Sequence, residues 1–186
     1  MAGRPVNHER RAELLDAVVD YTVEHGFDGL TWRPIAAALG ESPTTLVHRF
    51  GSKDQMLQEV LGRLRERILT ATAHTTSEEG ADLRVHARAV WERTSDPARG
   101  GEFRLFFAVY GRALQAPGPF ADFLGHVVAD WMTALRRVQG PDVEPAAATR
   151  TATLVIATLR GLLLDLLATG DRDRVQDAAE GFLSSL

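Results

Sequence analysis

The chain has 186 residues, 45% of them apolar, with no cysteine and a net charge of −4. That is length enough for one or two domains with a real core, and the missing cysteine excludes disulfides, thiolate zinc sites and a cysteine nucleophile. A net negative charge gives no bulk attraction for nucleic acid, so any basic footprint must come from placement.

The opening MAGRPVNHERR is polar and lacks the apolar run of a signal peptide. No apolar run reads as a membrane span: the nearest, residues 159–167, is short and interrupted by Arg160 and Asp165. The expectation is a cytoplasmic protein without a membrane partner.

Helical spacing dominates the rest, and alternating strand-like runs are absent. Asn7 is placed to cap a first helix running to about His25, striped by Leu14, Leu15, Val18 and Tyr21. Gly26 ends it, and Phe27 is expected to pack back on the last turn. Residues 29–53, GLTWRPIAAALGESPTTLVHRFGSK, then read as two short helices around a tight turn, followed by the start of another. Thr31 is expected to cap the first of the two, Gly40 to take the turn, and Ser42 to cap the second, with Pro43 at its first position. Leu46 and Phe50, four apart, face inward together. A short exposed helix after a glycine-bearing turn has the shape that enters a DNA major groove.

Ser52 is placed to cap a fourth helix of roughly 20 residues, about 30 Å long, suited to join two parts of a molecule. The polar stretch 74–80 breaks the pattern. Helices follow at about 81–94, 102–115, 120–138, 146–168 and 171–184, separated by loops rich in glycine and proline. Asp171 is expected to cap the last. The fold class is therefore all-α: a three-helix N-terminal head with a helix-turn-helix, then a C-terminal helical bundle, about nine helices in all. The functional division expected is 1–53 for the head and 54–186 for ligand binding and dimerisation.

In residues 1–53, Arg4, Arg10, Arg11, Arg33, Arg49 and Lys53 stand against seven carboxylates, a net of −1. Their placement is favourable, because three bunch at the N-terminus and three flank the reading helix. Lys53 is the only lysine in the chain.

Residues 10–61 together resemble the DNA-binding domain of the tetracycline-repressor (TetR) family. The resemblance is carried by RRAELLDAVVDYTVEHGFDGLT, then IAAALGESPTTLVHRFGSKDQML, with Gly26-Phe27, the start at Thr31, the turn at Gly40 and the closing 50–53 in family order. Beyond residue 61 the likeness is one of architecture only. It implies a homodimer on a double-stranded palindromic operator, with two half-sites about one turn apart, roughly 34–36 Å. By motif position, Pro43, Thr44, Thr45 and His48 face bases, and Arg33 can reach a base edge. Thr31, Lys53 and the start of the fourth helix hold phosphates, which the helix dipole favours. Two positions depart from the family, which usually has Tyr at 47 and His at 49. Here Val47 cannot donate to a phosphate but can touch a thymine methyl, while His48 or Arg49 takes the backbone.

In the C-terminal half, Trp91, Phe103, Phe107, Tyr110, Phe123 and Trp131 are candidate walls of a pocket for a small hydrophobic or aromatic effector. His126 is a candidate polar partner there, as are His86 and Arg104. The eighth predicted helix carries more apolar surface than one neighbour can bury. A two-fold four-helix interface would bury it, with Leu154, Thr158, Gly161, Leu162, Asp165 and Phe182 as candidate contacts and Gly161 allowing close approach.

No catalytic motif is present: HExxH, GxxxxGK[ST], GxGxxG and GxSxG are all missing, and the six histidines are not spaced for a metal. Asp171, Asp173 and Asp177 lack the glycine of a calcium loop. The expectation is no cofactor, no enzyme, and a repressor released by its ligand. The alternative is a helical carrier or enzyme that keeps a vestigial DNA head.

Overall fold

The computed structural model describes residues 5–73 and 82–186. Arg4 and the polar stretch 74–80 lie outside the described residues. Within them the chain forms ten α-helices and three short 3-10 turns. It divides into two compact units: residues to 67 with 104–119, and 68–103 with 120–186.

The first unit holds α1 (Pro5–His25), α2 (Trp32–Leu39), α3 (Pro43–Phe50), the first part of α4 (Lys53–Ala73) and most of α6 (Gly100–Gln115). Its core is Val18, Val19, Leu30, Ile35, Leu46, Phe50, Met56, Val60 and Leu64, all nearly or fully buried. Gly40 ends α2 at φ 64°, the left-handed geometry that lets the chain turn sharply into α3. Ser52 and Gln55 close the start of α4 as a capping box: Gln55 N donates to Ser52 Oγ at 3.1 Å, and Ser52 N donates to Gln55 Oε1 at 2.8 Å. Gly51 sits at φ 75°, a geometry strained for other residues, and a Cβ there would push the Gln55 amide out of its place in the cap.

The second unit holds α5 (Leu83–Thr94), α7 (Ala121–His126), α8 (Ala129–Val138), α9 (Pro145–Thr169) and α10 (Arg172–Ser184). α9 packs between α8 and α10, and α5 packs on all three. Trp91, Leu135, Val155, Val175, Ala179 and Leu183 are buried among them. Trp91 Nε1 donates to Gln176 Oε1 at 2.9 Å, so the buried indole keeps its hydrogen bond. Asp171 caps α10 as expected, accepting from Arg174 N at 3.3 Å.

Three sequence expectations are corrected. Asn7 does not precede the first helix but lies inside it, within Pro5–His25. Thr31 occupies the cap position of α2 but its hydroxyl makes no cap bond. Pro34 explains this: it sits three residues on, where the N–H that a cap hydroxyl usually accepts is missing. The stretch 120–138 is two helices rather than one. The Val127 carbonyl, which a continuous helix would give to the amide four residues on, accepts from Arg160 Nη2 at 2.9 Å.

α9 is 25 residues long, and by length and composition alone it is long and apolar enough to cross a membrane. Arg160 and Asp165 interrupt its apolar run. In the fold both are held by protein groups: Arg160 by the Val127 carbonyl, and Asp165 by a two-bonded pair with Arg174 at 2.9 Å each. Only 28% of the most apolar window of α9 is buried in the single chain.

Candidate nucleic-acid interface

The face that α3 presents is set by its start. Ser42, in extended backbone, accepts from Thr45 N at 3.0 Å, and Pro43 follows at the first helical position. Leu46 and Phe50 anchor the helix inward, fully and almost fully buried. This leaves Pro43, Thr44, Val47 and His48 exposed on the opposite side.

Thr45 is different. It is half-buried, and its hydroxyl is 2.8 Å from Ser42 Oγ, so it takes part in the cap. Arg49 is also half-buried, and its carbonyl lies 3.5 Å from Arg11 Nε. Of the residues expected from sequence to meet DNA, Arg33, Pro43, Thr44, Val47, His48 and Lys53 are exposed, while Thr31 is partly covered. An open hollow of about 530 Å³ joins several of them, lined by Thr31, Trp32, Arg33, Pro34, Pro43, Thr44 and Val47.

Charge on the head is sorted by position. Arg10 is paired with Glu13 and Glu41, at 3.3 and 3.4 Å. Arg11 is paired with Glu59 at 2.6 Å and lies over the Phe50 ring. Arg10 and Arg11, which stand near the N-terminus in sequence, are therefore engaged by carboxylates of the head. Arg33, His48 and Lys53 make no ion pair among the described residues.

One feature escaped the sequence reading. Arg63 bonds both Asp16 oxygens at 2.8 Å, and Arg67 reaches Asp16 at 2.7 Å and also Asp20. The Arg63 hydrogen bonds hold the Asp16 carboxyl down to about 2, against the opposing effect of burial and with help from Arg67. Two acids four apart on α1 meet two arginines four apart on α4. That matched spacing was visible in the sequence once both helices were drawn.

The candidate effector residues are dispersed. Phe107 and Tyr110 belong to the first unit, both half-buried and both in ring contact with Phe106, at 5.3 and 6.1 Å. The other five belong to the second unit. Trp91, Phe103 and Phe123 are buried there, whereas Trp131 and His126 are half-buried. His126 Nδ1 lies 2.9 Å from the Asp122 carbonyl. His86 is buried and Arg104 exposed.

The candidate dimer residues share one side of α9 and α10. Leu154 is 64% exposed and Leu164 49%, with Ala157, Gly161 and Ala168 exposed at helical spacing beside them. Ala178 and Gly181 are exposed on α10, and Thr158, Leu162, Asp165 and Phe182 are half-covered.

Comparison with known proteins agrees with this arrangement. The family model of the bacterial regulatory proteins of the tetR family matches residues 14–60. The HTH-type transcriptional regulator BetI of Rhizobium meliloti (strain 1021) is 32% identical over 124 residues, 58% of this chain and 61% of that protein. The HTH-type transcriptional repressor KstR2 of Rhodococcus jostii (strain RHA1) is 34% identical over 99 residues, 45% of this chain and 48% of that protein. The chain thus matches less than two thirds of the length of either relative. A transcriptional regulator from Rhodococcus sp. Rha1 superposes with a TM-score of 0.78 at 26% identity, over 94% of both chains. The helix-turn-helix, its caps and these likenesses lead to one statement: residues 14–60 of the chain match the tetR family of bacterial regulatory proteins.

Proposed function

We propose that the chain is a ligand-responsive transcription regulator, a repressor, that binds a palindromic double-stranded operator as a homodimer and is released by a small hydrophobic or aromatic effector. The carrying observation is α3: capped by Ser42, anchored by Leu46 and Phe50, and exposing Pro43, Thr44, Val47 and His48. Such a helix can lay base-reading side chains in a major groove, while Arg33 and Lys53 meet phosphates. Thr45 serves the reading helix through its cap, and Arg49 adds to backbone contact from the edge.

The dimer is supported by the apolar side of α9. Leu154, Gly161 and Leu164 are exposed in one chain, and a second copy related by a two-fold axis would cover them. Asp165 sits at the rim, already neutralised by Arg174. The effector reading is supported by the aromatic supply of the C-terminal half: half-buried Trp131 and His126 offer contact surface, and buried Trp91, Phe103 and Phe123 serve as wall. Phe107 and Tyr110 are aromatic contact surface of the first unit by itself. The chain passes between its two units inside helices, after Arg67 in α4 and after Phe103 in α6. An effector that fits one arrangement better than another would shift head spacing and so operator affinity, by about 5- to 150-fold for a coupling of 1–3 kcal/mol. On this reading the protein binds rather than catalyses, works in the cytoplasm without a cofactor, and needs no membrane.

The test is a gel shift with a duplex selected from a random library by the full chain. Wild type should shift it, with affinity falling steeply with salt. Replacing Thr44 and Lys53 by Ala together should abolish the shift while circular dichroism stays unchanged. A selection that enriches no sequence would overturn the proposal.

A further inference from the structure

The outward side of α3 is not uniformly polar. Val47 is 44% exposed, between exposed Thr44 and His48. It also does not stand alone, because it forms one part of the hollow that includes Trp32 and Pro34 of α2 and Pro43 of α3. The fold sets them beside Val47.

The chemistry of that surface is restrictive. Pro34 and Pro43 have no N–H and Val47 has no donor or acceptor in its side chain, so this part of the lining is apolar, while Thr31, Thr44, Arg33 and the Trp32 indole N–H supply its polar groups. A polar base edge pressed against the apolar part would lose its water and gain no hydrogen bond. In the major groove, thymine alone presents an apolar group, its C5 methyl. Charge indicates that the occupant belongs to a polyanion. Arg33 lines the hollow, is exposed, and makes no ion pair among the described residues. Lys53 is exposed nearby in sequence, and Glu41, the acid just before α3, is paired with Arg10.

We propose that the hollow bounded by Trp32, Pro34, Pro43 and Val47 reads a thymine methyl, with Val47 as the specificity-determining side chain. This rests on the DNA-binding proposal and names what one part of that face selects. The operator then carries a thymine at a fixed place in each half-site. Its recognition is apolar, so it depends on the methyl and not on the pairing edge.

The experiment uses the full chain and a duplex selected from a random library. Each thymine is replaced in turn by deoxyuridine, symmetrically in both half-sites, which removes only the methyl. One position should weaken binding by about fourfold per half-site, the worth of one buried methyl. Val47→Ala, at an exposed position that the fold does not need, should bind the thymine and uracil duplexes equally. A selected duplex indifferent to uracil at every position would overturn the inference and leave the hollow to another occupant. So would a uracil penalty that survives in Val47→Ala. Failure to select any duplex would remove the DNA-binding proposal itself, and this one with it, so the two failures are distinguishable.

Discussion

The reading head and the α9–α10 pair solve opposite problems. The head is built from two eight-residue helices, too short to be stable alone. It completes itself within one chain through caps, a small core and ion pairs between α1 and α4. α9 has 25 residues and an ample core side, yet it leaves Leu154 and Leu164 open to solvent. The first region is finished by its own sequence; the second leaves large apolar side chains open in the single chain. An exposed polar side on a short helix indicates a polar target, and an exposed apolar side on a long one indicates a protein neighbour.

The sharpest way to break this contrast is to charge the open side of α9. Leu154→Arg with Leu164→Glu should give a monomer by light scattering, with no loss of thermal stability in the head. Operator affinity should fall roughly 100-fold or more, because the second head no longer benefits from the first. A dimer of unchanged mass would place the interface elsewhere.

Cutting into the head's own core should act on folding instead. Leu46→Ala removes a fully buried side chain from α3. It should cost about 2–5 kcal/mol in denaturant unfolding and leave dimer mass unchanged. If the cost were under about 1 kcal/mol, α3 would not be anchored as described.

The seam between α1 and α4 gives a smaller effect that depends on pH. Asp16 lies at about 2 in the fold against an ordinary 3.8, so its ionised form favours the folded state. That contribution is complete above about pH 4 and disappears as pH falls towards 2. Asp16→Asn should cost about 1 kcal/mol at neutral pH, modest because the pair is partly open to water. The gap to wild type should close across that acid window, and a constant gap would assign the effect to packing.

The two caps give the finest test. Ser42→Ala removes a cap bond to Thr45 N and should cost about 1 kcal/mol. Thr31→Ala, at a cap position without a cap bond, should cost only a few tenths in thermal melts. Equal costs would contradict the role given to Pro34.

These same residues show what was legible in the sequence. Ser42, Pro43, Gly40 and Ser52 were readable because capping and turning are local: the partner lies within four residues. The inward pair Leu46 and Phe50 followed from helical spacing. Thr31 misled because its usual partner is removed by a proline three residues on, a detail of the same motif. The break at Val127 was not readable at all, since its cause is an arginine 33 residues away. The Asp16–Arg63 seam spans 47 residues, so its four-residue spacing was visible on each helix but the pairing of the two was not. In the candidate interface, polarity and exposure were foreseeable. The joining of Trp32, Pro34 and Val47 was not, because it depends on how two helices cross.

Lys53 carries one more consequence. As the sole lysine, exposed at the first turn of α4, it offers amine-directed chemistry a single side chain in 186 residues. Acylating it would erase one positive charge at the head and leave every arginine untouched. A reagent or enzyme that acetylates surface lysines would therefore act on this protein as a dimmer of its grip on polyanions, with the C-terminal helices chemically silent.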